Sequence, residues 1–322
     1  MGSILRAPSS ITAEEAALPR NGIAQRDSAL KGTSSAILSP LTIGNGTVTL
    51  SHRIVLVPLT RNRGLPLDPD APPTMPNRTW YPEDLVATYY AQRTTPGGLL
   101  ISEGLPPSIQ CNGMPCVPGI FHPKQIARWK EVLHGGNGYL PEQFLSSNTN
   151  MRTDEYRALG ENKVAIRLTP FGLYNDTKGT QRLETWGFLC SELKRKHNLS
   201  HVHFIEPRYE QVYILETWRI ENADLKLFRD IFRDTPFFSA CGWSDKNIWG
   251  VLEKGTYDAL AIGRLFLSTP DIIDRLKKGL PLNAYDRCRF YGPFSNRAVG
   301  YTDYPMYDDV GGSGKKLVIG ST

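Results

Sequence analysis

Short apolar runs alternate with helical patterns along this chain, and this alternation limits the possible folds more than any other feature of the sequence. Two parallel strands need a crossover of a dozen or more residues between them, usually a helix. Six runs are short and apolar enough to be strands buried on both faces, namely residues 54–57, 99–102, 164–168, 202–205, 237–240 and 259–262. Helical patterns cover residues 83–93, 123–132, 183–196, 222–233, 245–254 and 270–278. The sequence therefore predicts a parallel sheet wrapped by helices.

The alternation has a break and two irregular ends. Between residues 132 and 164 no strand of convincing length can be read. Residues 1–38 are rich in Ser, Ala, Gly and Thr without apolar periodicity, which predicts a disordered extension. Residues 309–322 are glycine-rich and predict a flexible tail. We therefore expect one α/β domain over residues 39–308.

Charge and cysteine content narrow the class of function. The net charge of +5 is spread along the chain without a basic block, so neither a nucleic-acid nor a membrane partner is expected. Five cysteines, an odd number in a chain too long to need disulfide bonds, indicate a reducing compartment, and we expect the cytoplasm. Cys111 and Cys116 have no second pair at zinc spacing, so no metal site is expected. Small-molecule chemistry is favoured.

Glycines follow the last two predicted strands. Gly242 comes after residues 237–240, and Gly263 with Arg264 comes after residues 259–262. Glycine lets backbone N–H groups approach an anion, and a guanidinium can hold phosphate through two hydrogen bonds. These turns indicate a phosphate site; two ordinary turns with a surface arginine are the alternative.

Other strand ends carry groups suited to a polar ring. Pro58 and Thr60 follow the first strand, and Gly104 follows the second. Arg167 lies inside an otherwise apolar run, where an arginine is costly without an acceptor. We expect Arg167 to face the mouth of the fold and a polar ligand; a buried ion pair is the alternative.

The segment 133–139 contains a candidate catalytic group. His134 and Asn137, three residues apart, can both donate hydrogen bonds to one ligand oxygen, and Tyr139 can deliver a proton beside them. This combination would polarise an unsaturated carbonyl compound. Taken alone, His134 is equally consistent with an ordinary residue of a glycine-rich loop.

Together these residues make the chain similar to the Old Yellow Enzyme family of FMN-dependent ene-reductases. The similar segments follow the family order, beginning with His-Arg-Ile-Val-Leu-Val-Pro-Leu-Thr-Arg at residues 52–61. The others are residues 89–93, 96–104, 134–144, 152–156, 166–172, 205–208, 263–266 and 300–305.

The resemblance implies a (β/α)8 barrel of the TIM type that binds FMN at the carboxyl ends of its strands. It implies that Pro58, Thr60 and Gly104 lie beside the isoalloxazine. Arg167 would meet the pyrimidine edge, and the phosphate would be held by Gly242, Gly263 and Arg264. His134 and Asn137 would bind the substrate carbonyl oxygen, Tyr139 would be the proton donor, and Tyr301 or Tyr304 would line the substrate side.

The resemblance also implies a reaction. Members of the family use NADPH as hydride donor and reduce the carbon–carbon double bond of an enone or enal. Some relatives act in fungal secondary metabolism, and a homodimer is compatible with the fold.

The chain departs from the family pattern in two places. The helix around Trp129 runs almost directly into His134, so the third strand, its helix and most of the fourth strand are missing. A crossover helix is also missing near residue 163. The barrel is therefore expected to be incomplete, with two exposed sheet edges. There are three explanations: a shortened barrel closed by dimerisation or loop rearrangement, a decayed and inactive paralogue, or a chain translated from an incorrect gene model. The functional alternative is an inactive, truncated family member without flavin turnover.

Overall fold

A parallel β-sheet forms the centre of the protein. The computed structural model describes residues 35–72, 78–134, 144–147, 160–172, 181–207, 223–292 and 294–307. The sheet has seven strands: β3 (Ile54–Leu56), β6 (Leu99–Gly104), β7 (Phe144–Ser147), β8 (Ala165–Leu168), β9 (His201–Ile205), β10 (Phe237–Ala240) and β11 (Ala259–Ile262). Two small antiparallel pairs accompany it, β1 (Leu41–Ile43) with β2 (Val48–Leu50) and β4 (Leu65–Pro66) with β5 (Trp80–Tyr81).

The strand order is β7-β6-β3-β11-β10-β9-β8, and every neighbouring pair is parallel. The first strand of the sheet in the chain, β3, therefore lies beside the last, β11, as it does where a barrel closes on itself. Among the described strands no pairing joins β7 to β8, so these two strands form open edges. The expected incomplete (β/α)8 barrel is confirmed.

Six α-helices occur in the described residues: α1 (Asp84–Gln92), α2 (Pro123–His134), α3 (Arg182–Lys196), α4 (Lys226–Ile231), α5 (Arg264–Ser268) and α6 (Ile272–Lys278). They cover one face of the sheet. Ile54 and Leu56 of β3 pack in a cluster with Val86 of α1 and Ile273 of α6. Phe204 of β9 packs on Phe228 of α4, with the rings 5.1 Å apart.

The opposite face of the sheet forms the inner core. Val55 and Ile101 point to this side and pack with Phe238, because side chains alternate along a strand. Ile43 and Leu50 of the β1–β2 pair join the same cluster and cover part of the inner face. The central strands are thus buried on both faces, as their apolar sequences predict.

Three local predictions need correction. Residues 245–254 form turns and a short 3-10 helix, Leu252–Lys254, instead of an α-helix, since Gly250 has a left-handed φ of 71° that interrupts any helix there. The interval without a strand contains the four-residue β7, which pairs with β6. The disordered extension predicted over residues 1–38 is too long, because Ile37 is fully buried and its carbonyl accepts the N–H of Arg53. The domain limits at residues 38 and 308 otherwise remain predictions.

Candidate active site

The candidate ligand-binding residues lie at the carboxyl ends of parallel strands. Each belongs to a strand of the same sheet or to the turn that follows it: Gly104 of β6, Pro58 and Thr60 after β3, Gly263 and Arg264 after β11, Gly242 after β10, and Arg167 of β8. Carboxyl ends of parallel strands meet at one edge, and in α/β barrels this edge carries the reactive groups. The fold therefore brings these seven residues to the same end of the sheet, where the strands finish.

The turn after β10 is held in an unusual backbone conformation. Cys241 and Gly242 have left-handed φ values of 79° and 77°. The side chain of Asn247 stabilises the turn, because its Nδ2 donates to the carbonyl of Gly242 at 2.7 Å and its Oδ1 accepts the N–H of Ser244 at 2.7 Å. A left-handed residue that is not glycine is costly, and such residues occur often at functional sites.

A chain of buried hydrogen bonds also stabilises the turn after β10. Trp243 donates its indole N–H to Ser239 Oγ at 3.2 Å, and the Ser239 hydroxyl donates to the Glu206 carboxylate. All three residues are buried. Because Glu206 directly follows β9, this chain couples the ends of β9 and β10.

The turn after β11 touches the loop after β3. A Cβ atom on Gly263 would lie 3.6 Å from side-chain atoms of both Val57 and Leu59, so the two loops are in close contact. Arg264 begins α5, donates from Nη1 to the Tyr285 hydroxyl at 2.8 Å, and lies 4.8 Å from that ring centre. A phosphate at this turn would meet a guanidinium that Tyr285 already orients.

Arg167 lies beside two buried histidines on the inner face. Its neighbour in the β8–β9 register is His203. Arg167 is exposed to solvent, and desolvation by the protein around it lowers the pKa of its guanidinium. The exposure of Arg167 does not fit the buried ion pair, and its role toward a polar ligand stays a prediction.

The two histidines, His201 and His203, are here called the β9 histidines. His201 stacks on Phe238 with ring centres 4.1 Å apart. Burial lowers the pKa of His201 to about 3, and burial with the nearby charge of Arg167 lowers the pKa of His203 well below its ordinary value. His203 Nε2 is buried and has no hydrogen-bond partner within the described part of the chain.

A second buried polar group, here called the Glu103 cluster, lies between α1 and the loop after β3. It contains Arg61, Arg63, Tyr90, Glu103 and Tyr301. Glu103 is fully buried, and its Oε2 accepts the backbone N–H of Arg61 at 3.2 Å. Burial raises the pKa of Glu103 to about 7, against the lowering effects of that hydrogen bond and of the charges on Arg61 and Arg63.

Tyr301 lies in a densely packed part of the protein, and its expected place on the substrate side stays a prediction. Tyr301 is fully buried, and its ring stacks on Tyr89 with centres 4.2 Å apart and planes within 2°. The Arg61 guanidinium lies 5.0 Å from the Tyr301 ring. Tyr304 is also buried and lies near Arg289. Both tyrosines are therefore packed in the interior, each with an arginine close to its ring.

The predicted substrate-binding and catalytic residues cannot be placed in the same way. Asn137 and Tyr139 lie outside the described residues, as does the side chain of His134, whose backbone ends α2. Their roles remain predictions from the sequence.

The described groups fit FMN. The accessible Arg167 guanidinium suits the oxygen acceptors of a flavin ring, and the unpartnered Nε2 of His203 leaves a buried polar atom on the same inner face. The turns at Gly242 and Gly263 suit a phosphate. Sequence reasoning missed the β9 histidines, although their two-residue spacing puts both on one face of a strand.

Two other kinds of site are not found in the part of the chain that the structure describes. No group of three or more His, Cys, Asp or Glu side chains could hold a metal ion. Within the same residues, no helix combines the length and apolar character that crossing a bilayer would require.

Comparisons with known proteins agree with the family resemblance and the fold. The NADH:flavin oxidoreductase / NADH oxidase family matches residues 36–134. Flavin oxidoreductase hxnT of Emericella nidulans is 30% identical over 388 residues, covering 84% of this chain and 97% of that protein. 12-oxophytodienoate reductase 1 of Oryza sativa subsp. japonica is 27% identical over 377 residues, covering 85% and 94%.

Solved structures support the fold alone, since their identities are low. Morphinone reductase superposes with a TM-score of 0.65 at 22% identity, over 85% of this chain and 97% of that one. A variant of NCR from Zymomonas mobilis gives a TM-score of 0.65 at 20% identity, over 84% and 99%.

The alignment with hxnT also shows how many positions of that protein have no counterpart in this chain. The aligned 84% of this 322-residue chain is about 270 residues, yet the alignment with hxnT runs over 388 positions, so about 120 positions have no counterpart here. This agrees with an incomplete barrel that keeps the flanking motifs. The chain belongs to the Old Yellow Enzyme family of FMN-dependent NADH:flavin oxidoreductases.

Proposed function

We propose that this protein reduces the carbon–carbon double bond of an α,β-unsaturated carbonyl compound, an enone or enal, with NADPH as hydride donor. The observation that carries the proposal is the convergence of the predicted FMN-side residues at one edge of the sheet. Bound FMN would supply the hydride chemistry, which no amino-acid side chain provides.

The protein would bind FMN from several strand ends. Pro58, Thr60 and Gly104 would lie beside the ring, and Arg167 would donate to its pyrimidine edge. The accessible guanidinium of Arg167 supports this role, because it has no ion pair among the described residues. Gly242, Gly263 and Arg264 would hold the phosphate, through backbone N–H groups and one guanidinium.

Three residues would act on the substrate. His134 and Asn137 would donate hydrogen bonds to the carbonyl oxygen and stabilise the negative charge that grows there, with about 3 kcal/mol for a well-placed donor. Tyr139 would protonate the α carbon. These assignments follow from the sequence resemblance alone.

The cellular compartment, the origin of the substrate and the oligomeric state are part of the same proposal. The cytoplasm is the proposed location, since an odd number of five cysteines in a chain of this length fits a reducing compartment. We also propose a small-molecule substrate from secondary metabolism and a homodimer in solution.

A second candidate function follows from the open sheet. Two unpaired edges weaken a barrel and expose its interior, so a family member without flavin turnover is the alternative. Purified protein with bound FMN and NADPH oxidation supports the enzyme. Colourless protein that retains no FMN after added flavin has been removed by gel filtration supports the alternative.

The assignment of Tyr139 has its own test. We expect Tyr139→Phe to slow alkene reduction by about 100-fold, the usual size of a general-acid contribution, while NADPH oxidation in the other half-reaction stays near the wild-type rate. Tyr291→Phe, at an exposed tyrosine, is the matched control and should change neither rate. Equal slowing of both half-reactions by Tyr139→Phe would contradict the assignment.

A further inference from the structure

Asn247 holds the backbone of the turn that the proposed function assigns to the flavin phosphate. Its Nδ2 donates to the carbonyl of Gly242 at 2.7 Å, and its Oδ1 accepts the N–H of Ser244 at 2.7 Å. The Ser244 hydroxyl also donates to this Oδ1 at 3.4 Å, and the N–H of Asn247 donates to the carbonyl of Ser244 at 3.1 Å. One asparagine side chain therefore fixes the two peptide units that flank Trp243.

This turn lies level with the other turn that is assigned to the phosphate. Ala240 of β10 and Ala261 of β11 are register partners, and Gly242 and Gly263 each follow two residues later. Neighbouring strands of a sheet are about 5 Å apart, so the two turns begin side by side. Gly242 is exposed, which makes its turn accessible to a ligand.

The direction of the Gly242 carbonyl decides whether this turn attracts or repels an anion. Backbone N–H groups attract a phosphate oxygen, whereas a carbonyl oxygen repels it. Glycine adopts left-handed and right-handed conformations about equally readily, so the peptide unit after Gly242 can rotate and turn its carbonyl toward the ligand. Asn247 opposes this rotation, because its Nδ2 binds the carbonyl. Trp243 opposes it as well, since its buried indole donates to Ser239 Oγ at 3.2 Å.

We propose that Asn247 is a positioning residue for the flavin phosphate, which keeps the carbonyl of Gly242 directed at its own amide and away from the anion. The inference rests on the proposed function, because the phosphate concerned is that of FMN. A residue that merely stabilises the fold affects the binding of every flavin alike. A residue that sets the polarity of the phosphate turn affects only flavins that carry a phosphate. FMN and riboflavin differ in that group alone, so they distinguish the two roles.

The test compares the Kd of FMN with the Kd of riboflavin in the wild type and two variants, by titration of flavin fluorescence. We expect Asn247→Ala to weaken FMN binding roughly tenfold, about the contribution of one hydrogen bond to a charged group, and to change riboflavin binding less than about twofold. Asn112→Ala is the matched control, because Asn112 Nδ2 also donates to a backbone carbonyl, that of Arg78, in a loop without an assigned flavin contact. It should bind both flavins like the wild type. Equal weakening of both flavins by Asn247→Ala, or an unchanged FMN affinity, would overturn the inference.

Amide hydrogen exchange in the wild type tests the same point without a variant, so it counts even when Asn247→Ala does not fold. The N–H of Ser244 reports on the turn, because it donates to Asn247 Oδ1. A phosphate that binds only the closed turn must stabilise that turn, so saturating FMN should slow exchange at Ser244 more than saturating riboflavin does. Equal exchange rates with the two flavins would contradict the role of Asn247.

Turnover with NADPH and an enone separates this inference from the proposed function. A wild type that reduces no enone, in a protein where Asn247→Ala weakens FMN alone, would overturn the proposed function and keep the role of Asn247. A wild type that reduces the enone, in a protein where Asn247→Ala weakens both flavins equally, would overturn the role of Asn247 alone. A wild type that binds neither flavin would overturn both.

Discussion

The Glu103 cluster and the β9 histidines are both buried polar groups, but they have opposite composition. The first encloses one carboxyl group among arginines and tyrosines, whereas the second encloses two imidazoles near Arg167. Burial disfavours the charged form in both cases, so it raises the pKa of Glu103 and lowers the pKa of His201. The same physical effect therefore shifts the two ionisations in opposite directions.

This difference gives the two ionisations opposite effects on the free energy of unfolding over overlapping pH ranges. A carboxyl group with a raised pKa contributes stability that is complete below its unfolded value near 4.5 and is lost as the pH rises through about 7. A histidine with a lowered pKa contributes stability that is complete above 6.5 and is lost as the pH falls toward its folded value. The two losses oppose each other between pH ~4.5 and ~6.5.

Replacing the β9 histidines should give the largest effect. In the wild type, His201 with a folded pKa of about 3 should remove about 3 kcal/mol of stability between pH ~6.5 and ~4, and His203 adds a loss of the same sign. His201→Phe keeps an aromatic ring on Phe238 and cannot be protonated, so its unfolding free energy should depend much less on pH in this range.

Urea unfolding at pH 4.5 and pH 7 measures this effect. His197→Phe, at the partly buried histidine after α3, is the matched control and should keep the wild-type pH dependence. His52, whose burial lowers its pKa to about 4, remains in every variant and accounts for a residual slope. An unchanged slope in His201→Phe would show that His201 is already protonated or accessible in the native protein.

Glu103→Gln should change the opposite side of the pH profile. Ionisation of Glu103 should remove about 3 kcal/mol from the wild type relative to the variant between pH ~4.5 and ~7, because the folded protein holds the Glu103 proton more tightly than the unfolded chain does. The variant has no proton to lose and should lack this decrease. The same urea measurements at pH 5 and pH 7.5 check the prediction. The same pH dependence in the wild type and in Glu103→Gln would place the pKa of Glu103 near its ordinary value.

The sequence predicted the central sheet well and these two clusters poorly. Residues 237–240 and 259–262 form strands with the predicted limits, because an apolar run buried on both faces identifies a central strand without further context. The Glu103 cluster depends on contacts between residues far apart in the chain, since Arg61 donates to the carbonyls of Phe290 and Gly300. Such long-range contacts cannot be predicted from local sequence patterns.

The candidate site shows the same limit. Strand-end positions such as Gly104 and Gly263 could be read from the strands themselves, and the structure puts both at the predicted edge. The burial of Tyr301 could not be predicted from the sequence, because it depends on stacking with Tyr89 more than two hundred residues earlier. The helix over residues 245–254 was wrong for a related reason: the side chain of Asn247 and the conformation of Gly250 favour turns over helix.

Removing the hydrogen bonds that link Trp243, Ser239 and Glu206 should give the smallest loss of stability, because they connect only the ends of β9 and β10. Ser239→Ala removes the bridging hydroxyl and leaves a buried indole N–H and a buried carboxylate oxygen without this partner, at a cost of about 2 kcal/mol. Trp243 fluorescence should shift, because the indole loses its hydrogen bond. Ser39→Ala is the control: that hydroxyl donates to the carbonyl of Ala36 at 2.7 Å in a partly exposed turn, so its loss should cost under about 1 kcal/mol. Equal costs for the two variants would mean that Ser239 bridges nothing in solution, and that the turn after β10 owes its left-handed conformation to Asn247 alone.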